Sequence, residues 1–270
     1  MKRAVIYIDG SDNDIESLAS AVMLCRRFGA RLTVIHPVAD SVARAKARAV
    51  VVGQSMSWRY RVISESRSSA ARHSFEKACG DVDFAEYAEV EYDVVDAIRH
   101  LGLLHDVTIL ERVSEEEGPK VLALNAALFE TGGPVLIDPP HTPPSIGEAI
   151  AVAWSGTVQS ARVVRSALPL LSTAKVVSVV TDDANPRASA ADLVDYLAAH
   201  DIEAQTRSFD SSALSARGRG RALIAVVKTL EADMLVMGAY GSDKLDAIFG
   251  LGRATQKVIT ASPVPVLLQS

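Results

Sequence analysis

The sequence predicts an α/β protein built of two parallel-sheet domains, and three observations carry that prediction. Short apolar runs alternate with stretches whose apolar residues recur at helical spacing, the pattern of strand–helix–strand units. The order of these runs in the first half recurs in the second. Alanine and valine are plentiful among the 49% apolar residues, which suits strands covered by helices on both faces. A length of 270 residues also corresponds to about two domains.

The elements follow in chain order. Ala4-Val5-Ile6-Tyr7-Ile8 reads as a strand ending in Asp9-Gly10-Ser11. Leu18, Ala21, Val22, Cys25 and Phe28, at 3.6-residue spacing, place a helix after it. Leu32-Thr33-Val34-Ile35 is the next strand. From Ala39 to about Arg67 the chain reads as a long charged helix without a counterpart in the second half. Arg44, Lys46, Arg48 and Arg59–Arg67 make this arm basic, with Met56, Trp58 and Tyr60 interleaved. Such a stretch reads as an amphipathic helix packing on its own domain, or as an interaction surface. His105–Leu110 and Gly133–Ile137 are the remaining first-half strands. The run Pro139-Pro140-His141-Thr142-Pro143-Pro144 prevents regular structure and serves as a stiff linker between domains at 1–140 and 145–270.

The second half repeats the series. Ala149–Trp154 leads through Ser155-Gly156-Thr157 into a helix marked by Ala161, Val164, Ala167, Leu168 and Leu171. Strands follow at Val176–Val180 and Glu203–Phe209, then a helix at Ala222–Leu230. The strand at Ala232–Met237 matches His105–Leu110, a helix at Gln256–Thr260 follows it, and Val264–Leu268 matches Gly133–Ile137. Asp9 to Pro134 spans 125 positions and Ser155 to Pro265 spans 110, so the first half is the longer, by the charged arm. Each half reads β-α-β-(α)-β-α-β-α-β, joined by right-handed crossovers, and ligands in such sheets sit at the carboxyl ends of the strands.

Composition excludes several function classes. A net charge of −5 argues against a generally basic nucleic-acid binder, and 5% aromatics argues against a base-stacking platform. No DNA partner is expected. Cys25 and Cys79 do not make a disulfide framework and read as reduced thiols of a cytoplasmic protein. No run approaches 18 apolar residues, so neither a membrane span nor a membrane partner is expected. The six histidines show no paired spacing, so no metal site is expected.

The strongest local signal is Gly238-Ala239-Tyr240-Gly241 directly after a strand, continuing to Gly252-Arg253-Ala254-Thr255 and a helix. Glycines let backbone N–H groups approach a phosphate, and a helix N-terminus adds positive dipole. Thr255 and Arg253 add donors. The same glycines also suit plain turns at a strand end. Asp9 after the first strand suits an acceptor for an adenine amino or ribose hydroxyl group, or a helix N-cap. Arg217-Gly218-Arg219-Gly220-Arg221 reads as a solvated loop, with anion binding as the alternative. Trp154 reads as core packing beside the cleft.

Taken together, Ile8-Asp9-Gly10-Ser11, Phe28–His36, Ala153–Thr157, Ala232–Gly241 and Ser262–Leu268 resemble a tandem protein of the universal stress protein (UspA) family. The resemblance covers both halves. It implies two Rossmann-like, adenine nucleotide alpha hydrolase-like domains. Each is a five-stranded parallel sheet with helices on both faces, and the two are related by a pseudo-twofold with their last strands adjoining. Some family members bind ATP or AMP, and the family's dimer habit allows a homodimer.

The family's ATP pattern is an Asp after the first strand, then Gly-x-x-Gly. A spacer one residue shorter than the ten of Ser242–Leu251 and then Gly-Ser/Thr-x-Thr complete it. The first half keeps Asp9 and Gly10 but has Glu111-Arg112-Val113-Ser114 and Glu115–Glu117 where the phosphate loop belongs. These carboxylates repel phosphate. The second half keeps Gly238, Gly241, Gly252 and Thr255, with Ser155 in place of the acid and Arg253 in place of the Ser/Thr. Its nucleotide-binding set is therefore Ser155, Gly156, Gly238, Gly241, Gly252, Arg253, Ala254 and Thr255. Each lost hydrogen bond lowers affinity by about 5–150-fold. What the resemblance implies is a non-catalytic, cytoplasmic stress-response protein taking ATP or AMP with Mg²⁺ weakly in its second domain. A weak ATPase and a protein-interaction scaffold with vestigial clefts are the alternatives.

Overall fold

In the computed structural model the described residues are 1–38, 57–113, 118–141, 143–239 and 253–270. The first half runs β1 (Arg3–Tyr7), α1 (Asp14–Phe28), β2 (Arg31–Pro37), α2 (Ser57–Cys79), β3 (Ala85–Val90), α3 (Val94–Gly102), β4 (Val107–Glu111), α4 (Pro119–Glu130), β5 (Val135–Asp138). The second runs β6 (Ala149–Ala153), α5 (Val158–Leu171), β7 (Val176–Asp182), α6 (Ala190–Ala198), β8 (Gln205–Phe209), α7 (Ala216–Thr229), β9 (Met234–Gly238), α8 (Arg253–Ala261), β10 (Val266–Gln269).

All ten strands join one sheet in the order β3-β2-β1-β4-β5-β10-β9-β6-β7-β8. Within each half the strands are parallel and follow the same order, counted from that half's first strand. The halves meet where β5 and β10 pair antiparallel, with Leu136 opposite Leu267. Those two leucines are also counterparts in the repeat, so the pseudo-twofold axis passes between them.

Alternation along each strand builds two cores. Ala4 and Ile6 of β1, with Ile8 just after it, face one side with Leu18 and Cys25 of α1, Ala71 and Cys79 of α2, and the buried residues of α5 and α6. Val5 and Tyr7 face the other, with Ala97 and Ile98 of α3, Leu124 of α4, and the apolar faces of α7 and α8. Each fully buried aliphatic side chain contributes about 1.5–3 kcal/mol. No described helix is long and apolar enough to cross a membrane.

The β2–β3 connection carries the first half's extra length. Helix α2 fills the slot that α6 fills between β7 and β8, and only its length sets it apart; residues 39–56 of the predicted arm lie outside the described ones. Two sequence readings change. Arg217, Arg219 and Arg221 are not in a loop but in the opening turns of α7, capped by Ser215, whose Oγ accepts from Gly218 N at 3.2 Å. The two glycines disfavour helix locally, but tertiary packing decides: a Cβ on Gly220 would stand 2.8 Å from the Ala254 carbonyl of α8. Trp154 is only half-buried, because it stands past the end of β6 at the mouth of a cleft.

Candidate functional site

The carboxyl ends of β6, β7, β8 and β9 open on a cavity of about 260 Å³. It lies at the point where the connection from β8 to β9 crosses to the far side of β6, the location at which α/β sheets bind ligands. Trp154, Val180, Phe209, Leu223, Met237 and Val258 give it an apolar lining, and Ser155, Asp182, Asn185, Arg219 and Thr255 are its polar members. A second depression of about 380 Å³ shares Ser155, Asp182, Asn185 and Arg219, and continues over Thr157, Arg187, Ser211 and Ser212. An apolar chamber thus adjoins a polar one with two exposed guanidinium groups at its rim. That combination suits a ligand with one flat apolar part and one anionic or hydroxyl-rich part.

Local sequence positions these walls. Gly156 turns the chain at φ +66°, and a Cβ there would stand 2.2 Å from the Arg187 carbonyl. The loop it touches is tied back by Asn185, whose Nδ2 donates to Ser155 O at 3.0 Å while its Oδ1 accepts from Arg187 N at 3.2 Å. Thr157 and Ser160 form a capping box at the start of α5. Gly238 ends β9 against that helix start, where a Cβ would stand 2.6 Å from Ser160 N. The Asp182 carboxylate accepts from Ser211 Oγ, from Ser211 N at 3.1 Å and from Ala184 N at 3.1 Å. Its lone pairs are engaged in holding the β7 and β8 loops together.

The equivalent place in the first half is closed. Only about 10 Å³ remains among Tyr7, Asp9, Asp14, Leu110, Glu111, Lys120 and Ala123. Glu111 stands where the second half has Gly238, and its side chain binds the Lys120 ammonium and accepts from Asn13 Nδ2 at 2.6 Å. Lys120 Nζ also lies 3.6 Å from Asp9 Oδ1 and 3.2 Å from Ser11 Oγ. Asp9 is not an N-cap: Asn13 holds that position, and Asp14 closes the loop by accepting from Gly10 N at 2.8 Å and Ser11 Oγ at 3.2 Å. Burial, then the Asp9 charge, pushes the Asp14 carboxyl up to about 6. Gly10, at φ +79°, passes within Cβ reach of the Arg67 carbonyl.

Of the predicted second-half residues, Ser155, Gly238, Ala254 and Thr255 line the same cavity, and Gly156 shapes its wall from outside. Gly241 and Gly252 lie outside the described residues, as do Ser114 and Glu115–Glu117. Arg253 opens α8, and its side chain is likewise outside them. Arg219 reaches the cavity, whereas Arg217 and Arg221 do not line it. Asp182, Asn185 and Lys120 were not legible as site residues. Asp182 and Asn185 follow β7, so the rule that strand ends carry function was the signal available; Lys120 had none beyond being a cation in a helix's first turn. Among the described residues no group of His, Cys, Asp and Glu is placed to hold a metal ion.

Comparison with known proteins places this architecture. The model of the universal stress protein family matches residues 148–269. A universal stress protein from Archaeoglobus fulgidus DSM 4304 superposes with a TM-score of 0.71 at 15% identity, over 99% of this chain and 96% of that one. A functionally unknown protein from Pseudomonas aeruginosa PAO1 superposes with a TM-score of 0.61 at 12% identity, over 100% of this chain and 92% of that one. At such identities the likeness speaks for the fold. No curated protein matches the chain by sequence.

Proposed function

With residues 148–269 a domain of the universal stress protein family, we propose that the chain is a non-catalytic stress-response protein whose second half binds an adenine nucleotide, ATP or AMP with Mg²⁺. The observation that carries this reading is the contrast between the clefts. The second is open, about 260 Å³, with Gly238 on its lining where the first half carries Glu111. The first is reduced to about 10 Å³ by its own Glu111 and Lys120. In the second, the apolar chamber would take the base. Backbone N–H groups near Gly238, together with Thr255 and Arg219, would face the phosphates. The filled first cleft favours a second reading for that half, a platform for a protein partner or for a homodimer.

Thermal shift and native mass spectrometry test the nucleotide reading. Millimolar ATP or AMP with Mg²⁺ is expected to raise Tm, since a ligand at 100 times its Kd adds about 2.7 kcal/mol. Thr255→Val removes the hydroxyl without changing shape and is expected to weaken affinity by about tenfold. Gly238→Asp should abolish the shift, its unliganded Tm and circular dichroism being read alongside because the new Cβ would stand 2.6 Å from Ser160 N. A wild-type Tm unmoved by millimolar nucleotide would sink the reading, and phosphate release above the Gly238→Asp background would turn it toward an ATPase.

A further inference from the structure

Five buried side-chain atoms find no hydrogen-bond partner among the described residues, and four belong to one cluster: Ser20 Oγ, Arg112 Nε and both carboxylate oxygens of Asp138. Asp138 is fully buried. It ends β5, at one end of the short β5–β10 ladder that joins the two halves of the sheet among the described residues. Arg112 crosses that junction, donating a hydrogen bond to the Ser262 carbonyl of the second half.

The repeat supplies the comparison. Gln269 ends β10 as Asp138 ends β5, and Ser166 stands as far beyond Gly156 as Ser20 does beyond Gly10. Gln269 Oε1 accepts from Ser166 Oγ at 2.8 Å, and its Nε2 donates to the Gly132 carbonyl of the other half at 2.9 Å. One end of the ladder is thus locked by a neutral side chain that both accepts and donates. A carboxylate only accepts, whereas a carboxylic acid does both.

We infer that Asp138 is a proton-operated latch on the junction of the two halves. Protonated, it is a neutral buried side chain at its end of the ladder, as Gln269 is at the other. Ionised, it loosens that end. The charged groups that bear on it are Glu16 of α1, Glu111 of β4 and Arg112 just after β4. Burial pushes its carboxyl up to about 8; the Ser20 hydroxyl, close by but outside hydrogen-bond geometry, and Arg112 offset part of the rise, and Glu111 and Glu16 add to it.

The sign follows from the proton count. The folded state holds a proton that the unfolded state releases at its ordinary value of 3.8, so stability falls as pH rises from about 4 to about 8 and then levels. Urea unfolding of the full chain from pH 4.5 to 9, compared with Asp138→Asn, reads this directly. The wild-type folding constant should fall about tenfold per pH unit relative to the variant across that window. The Asp14 contribution is common to both proteins and cancels. Parallel profiles would overturn the latch. If Asp138→Asn fails to fold, the carboxyl ¹³C titration of wild-type Asp138 decides, a midpoint near 8 supporting the latch and one near 4 overturning it. Hydrogen exchange locates the opening: with rates corrected for the base catalysis of exchange, protection at 135–138 and 264–268 should fall between pH 5 and pH 9 in the wild type but not in Asp138→Asn, and equal protection in the two proteins overturns the proposal.

Discussion

Gly156→Ala is expected to destabilise the protein by about 3–4 kcal/mol and to abolish nucleotide binding in the second cleft. Two costs combine. A non-glycine residue in the left-handed region loses about 1–2 kcal/mol, and φ here is +66°. The new Cβ would also stand 2.2 Å from Arg187 O and 2.9 Å from its carbonyl carbon. Both atoms are backbone, in a loop tied down through Asn185, so they cannot yield as a flexible side chain would. Forcing extra volume into such a contact costs a further 1–3 kcal/mol or so. The relief available is movement of the 183–188 loop, and that displaces Asn185 and Ser155 from the cavity wall. A Tm drop on the order of 10 °C is the expected reading for a chain of this size. A variant within about 1 kcal/mol of wild type, with nucleotide affinity intact, would show that the loop is not the rigid wall described above.

Lys120→Met should destabilise the first half by about 2–3 kcal/mol near neutral pH, because it strips the cation from a cleft that holds three carboxylates. Glu111 and Asp9 are mostly buried, with side chains 11% and 19% exposed. Removing one partner from a buried pair leaves a charge without compensation, which costs more than the pair itself is worth. The loss should depend on pH. Asp14, already pushed up to about 6, is held down in part by the Lys120 charge. Its raised value means that stability declines as pH rises from about 4 to 6 in the wild type. Without Lys120 that decline extends to higher pH. Urea unfolding should therefore show a smaller loss at pH 5 than at pH 7.5. Equal losses at both would mean that methionine packing, not charge, sets the effect.

The fold was legible because it rests on periodicity. The runs Ala4–Ile8, Leu32–Ile35, Val176–Val180 and Ala232–Met237 need no partner to declare themselves as buried strands, and each falls on a strand in the structure. Boundaries were less legible where tertiary packing overrides propensity. Arg217–Arg221 reads as a loop because of its glycines, yet Gly220 is helical because only a residue without a side chain lets α7 lie against α8. The second cleft was half legible. Gly238, Ala254 and Thr255 stood out through a spacing pattern, whereas Asp182 and Asn185, at the end of β7, and Arg219, on α7, come from two separate segments that only folding brings together.

The sequence alone determined the alternation of elements, its repetition in two halves, and the substitution of Glu111 for a glycine at one strand end. All three are local: a period of apolar residues, or an identity at one position, survives without knowledge of what packs against it. The tertiary structure alone decided what the substitution means. Read locally, Glu111 repels phosphate; in the fold it meets Lys120 from α4 and fills the cleft itself. It also decided that Asp138 is buried beside Arg112 and Ser20, while its counterpart is a glutamine with both partners in place. Charge pairing and desolvation depend on distances between residues far apart in the chain, and those distances exist only once the sheet has formed.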